Sequence, residues 1–290
     1  MNFDPSTKIA AIIGNPVAHS LSPTIHNAVF KSLSINWCYL AFLVETGKVR
    51  QALEAMRRLG IAGYSVTMPH KGDVAQIVGE IGQVDEVVRL TESANTVLLR
   101  EGDEIFATNT DGQGACNAIE SSSSQRIANS RAIVIGAGGT ARAVVHALIQ
   151  NGASDVVIFN RSRNRAESIA DKYENCRVGQ DMKTEFENAQ IVINATPIGF
   201  SAAGAQMAGG GESPVDDNLI DARHTVLDAV YSPLETKFLA DAKRSGAIAV
   251  DGLEMLVHQA ALQQEVWLGK RGDTRLMRNV ALNFVVQESR

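Results

Sequence analysis

Short apolar runs bounded by turn residues alternate along this chain with longer stretches of helical periodicity, and that alternation admits few architectures. Residues 9–13, 39–43, 133–135, 156–159, 191–193 and 226–230 read as buried strands, and residues 25–33, 49–59, 141–150 and 165–173 as helices. Short buried strands alternating with helices specify βαβ units and mostly parallel sheets covered on both faces. The class is therefore α/β. At 290 residues the chain can form two such domains, each with its own core.

Composition excludes several partners. With 27 Lys and Arg against 32 Asp and Glu, the net charge of −5 gives no broad basic field, so nucleic acid is not an expected partner. No apolar run approaches the roughly 18 to 20 residues that span a bilayer, and the opening residues lack the basic-then-apolar pattern of a leader. No membrane or targeting segment is expected. Cys38, Cys116 and Cys176 are odd in number and scattered, which suits a reducing cytoplasmic location better than a disulfide framework or thiolate metal site. The six histidines show no metal-ligand spacing and no G-x-S-x-G elbow is present, so no metal site and no serine triad is expected.

The serine tract 121–124 precedes a new strand and makes a natural boundary between domains. Residues 201–214, rich in Gly and Ala, are too long for an ordinary connection and read as a mobile loop. No repeat of fixed period occurs.

Residues 131–143 read as a strand, a glycine turn and a helix start. Gly136 permits the turn, Gly138 and Gly139 let backbone approach a pyrophosphate, and the small Ala143 permits close packing of the helix on the strand. The next strand ends in Asn160-Arg161-Ser162-Arg163-Asn164-Arg165, where Arg161 lies 161 − 138 = 23 residues past Gly138. An acidic residue there would bind the ribose hydroxyls of NAD; a basic cluster instead favours the 2′-phosphate of NADP. Arginines at a helix N-terminus oppose its dipole, so an anion nearby is the simplest reason for them.

Three polar clusters in the first half fall at strand ends. Ser22-Pro23 reads as an N-cap followed by the first helical residue, whereas Ser20 has no such structural reason. In Thr67-Met68-Pro69-His70-Lys71, Pro69 suits a first helical position and places Lys71 in the first turn, where the dipole disfavours its charge. Asn109-Thr110-Asp111-Gly112 could be a polar turn alone. If Asp111 meets Lys71, it steadies an ammonium suited to proton exchange with a hydroxyl. In the second half, Asn194-Ala195-Thr196-Pro197 should lie at the cofactor edge. Ser232 and Glu235 are spaced as a capping box, and Tyr231 either faces a ligand or packs. Met255 and Gln259 share one helical face.

Together these segments closely resemble the shikimate dehydrogenase family over nearly the whole chain. The resemblance rests on Ser20-Leu21-Ser22-Pro23 with His26 and Asn27, Val66 to Lys71, Ala94-Asn95-Thr96, Asn109 to Gly112, the glycine turn, Asn160-Arg161-Ser162, Asn194 to Pro197, Tyr231-Ser232-Pro233 and Gly252 to Ala260. It implies two domains facing each other across a cleft. Residues 1–115 and 252–290 would form an N-terminal α/β substrate-binding and catalytic domain to which the C-terminal helices return. Residues 116–251 would form a Rossmann NADP-binding domain.

By matching position, the resemblance makes Lys71 and Asp111 the catalytic pair. It makes Ser20, Ser22, Thr67, Asn95, Tyr231 and Gln259 the substrate-binding residues, for the hydroxyls and carboxylate of a cyclic hydroxy acid. Gly136, Gly138, Gly139, Thr140, Ala141, Asn160, Arg161, Ser162, Arg165, Thr196 and Gly252 would bind NADP. The implied reaction is hydride transfer between shikimate and 3-dehydroshikimate by a cytoplasmic monomer or homodimer.

Departures from the family pattern keep alternatives open. Ser65 stands where Asn is usual, Glu92-Ser93-Ala94 where Gly-Ala-Val is usual, Gln264 where an aromatic is usual, and Leu268 where Thr is usual. These fit a paralogue acting on quinate or an aminoshikimate. A regulatory protein that binds NADP or such a ligand without turnover is a further alternative.

Overall fold

The computed structural model describes residues 3–200 and 211–288, and the chain divides into two compact units. One comprises Met1–Thr110 with Ala260–Arg290, the other Asp111–Gln259. The serine tract therefore closes a helix inside the second unit.

In the first unit the order is β1 (Lys8–Gly14), α1 (Ser22–Ser32), β2 (Trp37–Leu43), α2 (Val49–Arg58), β3 (Gly63–Val66), α3 (Lys71–Ile81), β4 (Gln83–Val84), α4 (Glu86–Thr91), β5 (Thr96–Leu99) and β6 (Ile105–Thr108). The strands form one sheet ordered β2-β1-β3-β5-β6-β4. It departs from an all-parallel sheet at β5, which runs antiparallel to both β3 and β6. The cause is connection length: the short link from β5 to β6 cannot hold the crossover of a dozen or more residues that parallel neighbours need. Leu53, Tyr64, Val74 and Val97 belong to one core of this unit, and Phe30, Trp37, Tyr39 and Trp267 to another.

The second unit runs α5 (Asp111–Ser122), β7 (Arg131–Ile135), α6 (Gly139–Gln150), β8 (Asp155–Phe159), α7 (Arg163–Ala170), β9 (Cys176–Val178), α8 (Met182–Asn188), β10 (Ile191–Asn194), β11 (Thr225–Asp228), α9 (Lys237–Arg244) and β12 (Ile248–Val250). Its sheet is ordered β12-β11-β10-β7-β8-β9 and every pairing is parallel. This is the doubly wound dinucleotide order, with strand succession reversing between β7 and β10. Alternate residues of β7 serve opposite cores: Ala132 and Val134 join one, Ile133 and Ile135 the other. Strands buried on both faces need such continuous apolar runs.

Helix α10 (Gly252–Leu268) begins in the second unit and ends in the first; α11 (Thr274–Glu288) packs on α1. No helix among the described residues is long and apolar enough to cross a membrane.

Candidate active site

In the first unit the polar residues gather where β1, β3 and β6 end. The turns there are cross-braced: Asn15 N donates to Met68 O at 3.0 Å, and buried His70 lies 2.7 Å through Nε2 from Val44 O. A methyl on Gly14 would meet Thr67 Cγ2 at 2.3 Å, so the close approach of these two turns requires glycine. Lys71 is the first residue of α3 and half-buried. The Met68–Pro69 peptide is cis and the helix starts after His70, so Pro69 precedes the helix instead of opening it.

Ser22 also differs from its expected role. Leu21 has helical dihedrals (φ −77°, ψ −8°) and stands at the N-cap, with no side-chain capping bond, so Ser22 already lies within α1. Its amide donates to Ser20 Oγ at 3.2 Å. Asn95 is buried and holds the segment after β6, accepting from Thr110 N at 2.8 Å while its Nδ2 donates to Thr110 Oγ1 at 3.0 Å. Ser93, one of the departing residues, anchors Asn109 through its carbonyl and hydroxyl oxygens.

Beneath these residues lies a polar layer built from distant parts of the chain. Tyr39 Oη donates to Ser65 Oγ at 2.6 Å, Ser65 donates to Gln263 Oε1 at 2.8 Å, and Gln263 Nε2 donates to Asn95 O at 3.2 Å. Burial raises the Tyr39 phenol, with hydrogen bonds to Ser65 and Ser22 opposing the shift. His26 stacks on Tyr39 with ring centroids 4.3 Å apart and lies 3.0 Å through Nδ1 from Gln264 Nε2. Burial pushes the imidazole down to about 3. Gln264 thus occupies the usual aromatic position with a polar contact. Leu268, the remaining departure, packs partly buried against the core that contains Trp267.

In the second unit, Gly136 (φ 119°) turns the chain at the end of β7; a methyl there would lie 3.0 Å from Ala195 O. Gly138 is the exposed N-cap of α6, without a side-chain cap, and a methyl on it would meet nothing within 4 Å. Helix α6 therefore begins with Gly139, Thr140 and buried Ala141, and the amides of such a first turn suit a pyrophosphate. Helix α6 also packs closely on α5: a methyl on Gly112 would lie 2.0 Å from Ala143 O.

After β8, helix α7 starts at Arg163, two residues earlier than its apolar period suggests, with Ser162 at an uncapped N-cap and Asn160 Nδ2 donating to Ser162 O at 2.8 Å. Arg163 Nε donates to Glu167 Oε1 at 2.8 Å. The guanidinium groups of Arg161 and Arg165 are exposed and have no partner among the described residues. These residues fit a 2′-phosphorylated dinucleotide.

Thr196 is held by Asn194, whose Oδ1 accepts from Thr196 N at 3.0 Å and Oγ1 at 2.7 Å. Tyr231 follows β11, and burial raises its phenol. Gly252 abuts that segment: a methyl would lie 2.4 Å from Val230 O. The Ser232–Glu235 capping box does not form. Thr236 caps α9, accepting from Leu239 N at 3.3 Å, while Glu235 pairs with Lys243 at 2.5 Å.

Asp111 is the first residue of α5 and buried, and Thr140 Oγ1 approaches its Oδ2 at 3.5 Å. Its carboxylate complements the helix dipole. Gln259 stands where α10 crosses α5; a methyl on Gly114 would lie 2.7 Å from Gln259 Cβ. Met255 packs in the second unit's core.

Sequence reasoning missed Tyr39 and Gln263. Tyr39 sits in an apolar run and gives no local signal, but Gln263 lies four residues after Gln259 on one helical face and could have been found. Residues 201–210 of the expected mobile loop lie outside the described residues. Among the described residues no cluster of His, Cys, Asp or Glu could hold a metal ion.

Family comparisons cover the same segments. The shikimate dehydrogenase substrate-binding domain matches residues 12–97, shikimate/quinate 5-dehydrogenase matches 118–205, and the shikimate 5′-dehydrogenase C-terminal domain matches 252–282. The shikimate dehydrogenase (NADP(+)) of Methanopyrus kandleri is 35% identical over 294 residues, 98% of either chain. That of Symbiobacterium thermophilum is 37% identical over 286 residues, 95% of this chain and 94% of its own. A shikimate dehydrogenase solved in complex with NADP+ matches with a TM-score of 0.87 at 31% identity over 98% of each chain. The chain belongs to the shikimate dehydrogenase family.

Proposed function

We propose that this protein is an NADP-dependent shikimate dehydrogenase, interconverting shikimate and 3-dehydroshikimate by reversible hydride transfer. One observation carries the reading furthest. Asp111, expected to be catalytic, and Gln259, expected to bind substrate, are the first and last residues of the second unit, so each stands where the chain crosses from one unit to the other. Ser20, Ser22, Thr67, Lys71 and Asn95 belong to the first unit. In this reading the first unit binds the hydroxy acid and the second the dinucleotide, with Tyr231 close to the substrate.

Bound NADPH supplies the hydride. Lys71 gives a proton to the oxygen of the ring carbonyl as it becomes an alkoxide, and recovers it in the reverse direction. Asp111 orients Lys71 and accepts a hydrogen bond from a substrate hydroxyl. Ser20, Ser22 and Thr67 offer hydroxyl donors to oxygens of the acid, and Asn95 and Gln259 offer amides. Gly136, Gly138, Gly139, Thr140 and Ala141 form the pyrophosphate turn. Asn160, Arg161, Ser162 and Arg165 take the 2′-phosphate, while Thr196 and Gly252 border the other end. The three free cysteines suit a reducing cytoplasm.

Initial rates with shikimate and quinate, each with NADP and NAD, test the assignment. The expected result is fastest turnover of shikimate with NADP, and loss of at least about 100-fold in kcat for Lys71→Ala. Wild-type kcat in that variant would remove the proposed role. A second reading, a paralogue acting on quinate or an aminoshikimate, is favoured by Ser65: its hydroxyl is committed to Tyr39 and Gln263 and presents no amide. Faster turnover of quinate would favour that reading. Ligand binding without any change in cofactor absorbance would indicate a regulatory protein.

A further inference from the structure

Asp228 ends β11 and has no exposed surface, yet no part of the mechanism above uses it. Its Oδ1 accepts from Asn194 Nδ2 at 2.9 Å and from Val230 N at 3.0 Å; its Oδ2 accepts from Thr236 Oγ1 at 2.6 Å. Asn194 in turn holds Thr196 through two hydrogen bonds, and Thr236 caps α9. One buried carboxylate therefore joins the segment after β10, the segment after β11 and the start of α9. It is an expensive joint, because carboxylates lose strong hydration on burial. The joint also has little slack, since the closeness of Gly252 to Val230 O leaves no room for a side chain between them.

Sheet order gives this joint a direction. Strands β10 and β11 lie on one side of β7, whereas β8, which leads to Arg161 and Arg165, lies on the other. A dinucleotide bound across the switch point places its two halves on opposite sides of β7. With the 2′-phosphate beyond β8, the nicotinamide half falls over β10 and β11.

We propose that Asp228 is a positioning residue for the nicotinamide end of the dinucleotide, acting through Asn194 and Thr196 on one side and the backbone of Val230 and Tyr231 on the other. The inference rests on the NADP reading and adds a division of labour to it. Arg161 and Arg165 supply affinity at one end, and Asp228 supplies alignment at the other. Asn is a poor substitute, because only one of its side-chain atoms accepts, where three donors now converge on two oxygens.

The test uses the full-length protein with Asp228→Asn, Thr236→Val and Thr236→Ser. NADPH binding is measured by fluorescence, alongside binding of 2′-phospho-ADP-ribose, which lacks the nicotinamide. Asp228→Asn and Thr236→Val are expected to raise the Kd for NADPH about tenfold and lower kcat about tenfold. The Kd for 2′-phospho-ADP-ribose should stay within about twofold, and Thr236→Ser should keep wild-type values. Equal weakening of both ligands would overturn the inference, as would a lower Tm with unchanged NADPH Kd and kcat. If Asp228→Asn does not fold, the Thr236 pair decides. A wild-type protein that binds NADPH but oxidises no shikimate would defeat the assigned reaction, while the two ligands would still judge Asp228.

Discussion

Replacing Arg161 and Arg165 together with alanine should separate cofactor preference from stability, because the two effects have opposite signs. Both guanidinium groups are exposed and without a partner among the described residues, whereas Arg163 is engaged with Glu167. A charge-assisted hydrogen bond contributes about 1.5 to 3 kcal/mol, and exposure reduces this toward about 1 to 2 kcal/mol for each arginine. Loss of both should raise the KM for NADP about 100-fold, since about 1.4 kcal/mol is a factor of ten. NAD, which lacks the 2′-phosphate, should be used nearly as before. Without cofactor, the variant should be as stable as wild type or more so, because cations at a helix N-terminus cost about 0.3 to 1 kcal/mol. Steady-state rates with both cofactors and thermal melts without them are the assays. Raising the salt should erode the wild-type preference for NADP, as exposed charges are screened. Parallel shifts in KM for NADP and NAD would refute the reasoning, as would an Arg163→Ala effect as large as that of the double variant.

The remaining predictions concern packing and pH. Gly112→Ala drives a methyl toward Ala143 O at 2.0 Å, so it should cost about 1 to 3 kcal/mol or more and lower Tm by several degrees. His26 is held near 3 against an ordinary 6.5, so the unfolded chain binds the extra proton first. Its linkage should remove about 1.4 kcal/mol of stability per pH unit as pH falls from 6.5 toward 3. Urea unfolding of wild type and His26→Asn at pH 7 and pH 5 checks this; an unchanged difference between the two proteins would refute it. Asp228 has the opposite sign: burial raises it from 3.8 to about 6, so its contribution is full below pH 3.8 and is lost as pH rises through 6. Relative to Asp228→Asn, wild type should lose about 3 kcal/mol over that window, measured by the same unfolding curves.

What could be seen in advance was local. The glycine turn, the arginines after β8 and Lys71 at a helix start depend on neighbours a few residues away, and spacing exposes such relations. The parallel-rich sheets were foreseen, but the antiparallel β5 was not, because β5 and β6 are too short for a clear apolar period and the hairpin between them left no mark. Ser22, Pro69, Ser232 and Glu235 carried the right residue types for caps and helix starts, but the actual starts are set by the backbone path of the neighbouring turns. The polar layer was invisible for another reason. Ser65 and Gln263 are 198 residues apart, and no local pattern reports that a serine in a strand needs a glutamine in a late helix. Asp228 looked like a strand end, since its three donors come from both sides of it in the chain.

The first unit is assembled from two stretches of polypeptide separated by the whole of the second. On a ribosome, its β-strands emerge early, but the helices that seat Trp267 against Gly63 and α11 against α1 are made last. The early stretch must therefore wait, with apolar surface uncovered, while residues 111–259 are synthesised and fold. Nascent chains of this protein should engage chaperones through that waiting half, and a fragment truncated at Thr110 should aggregate.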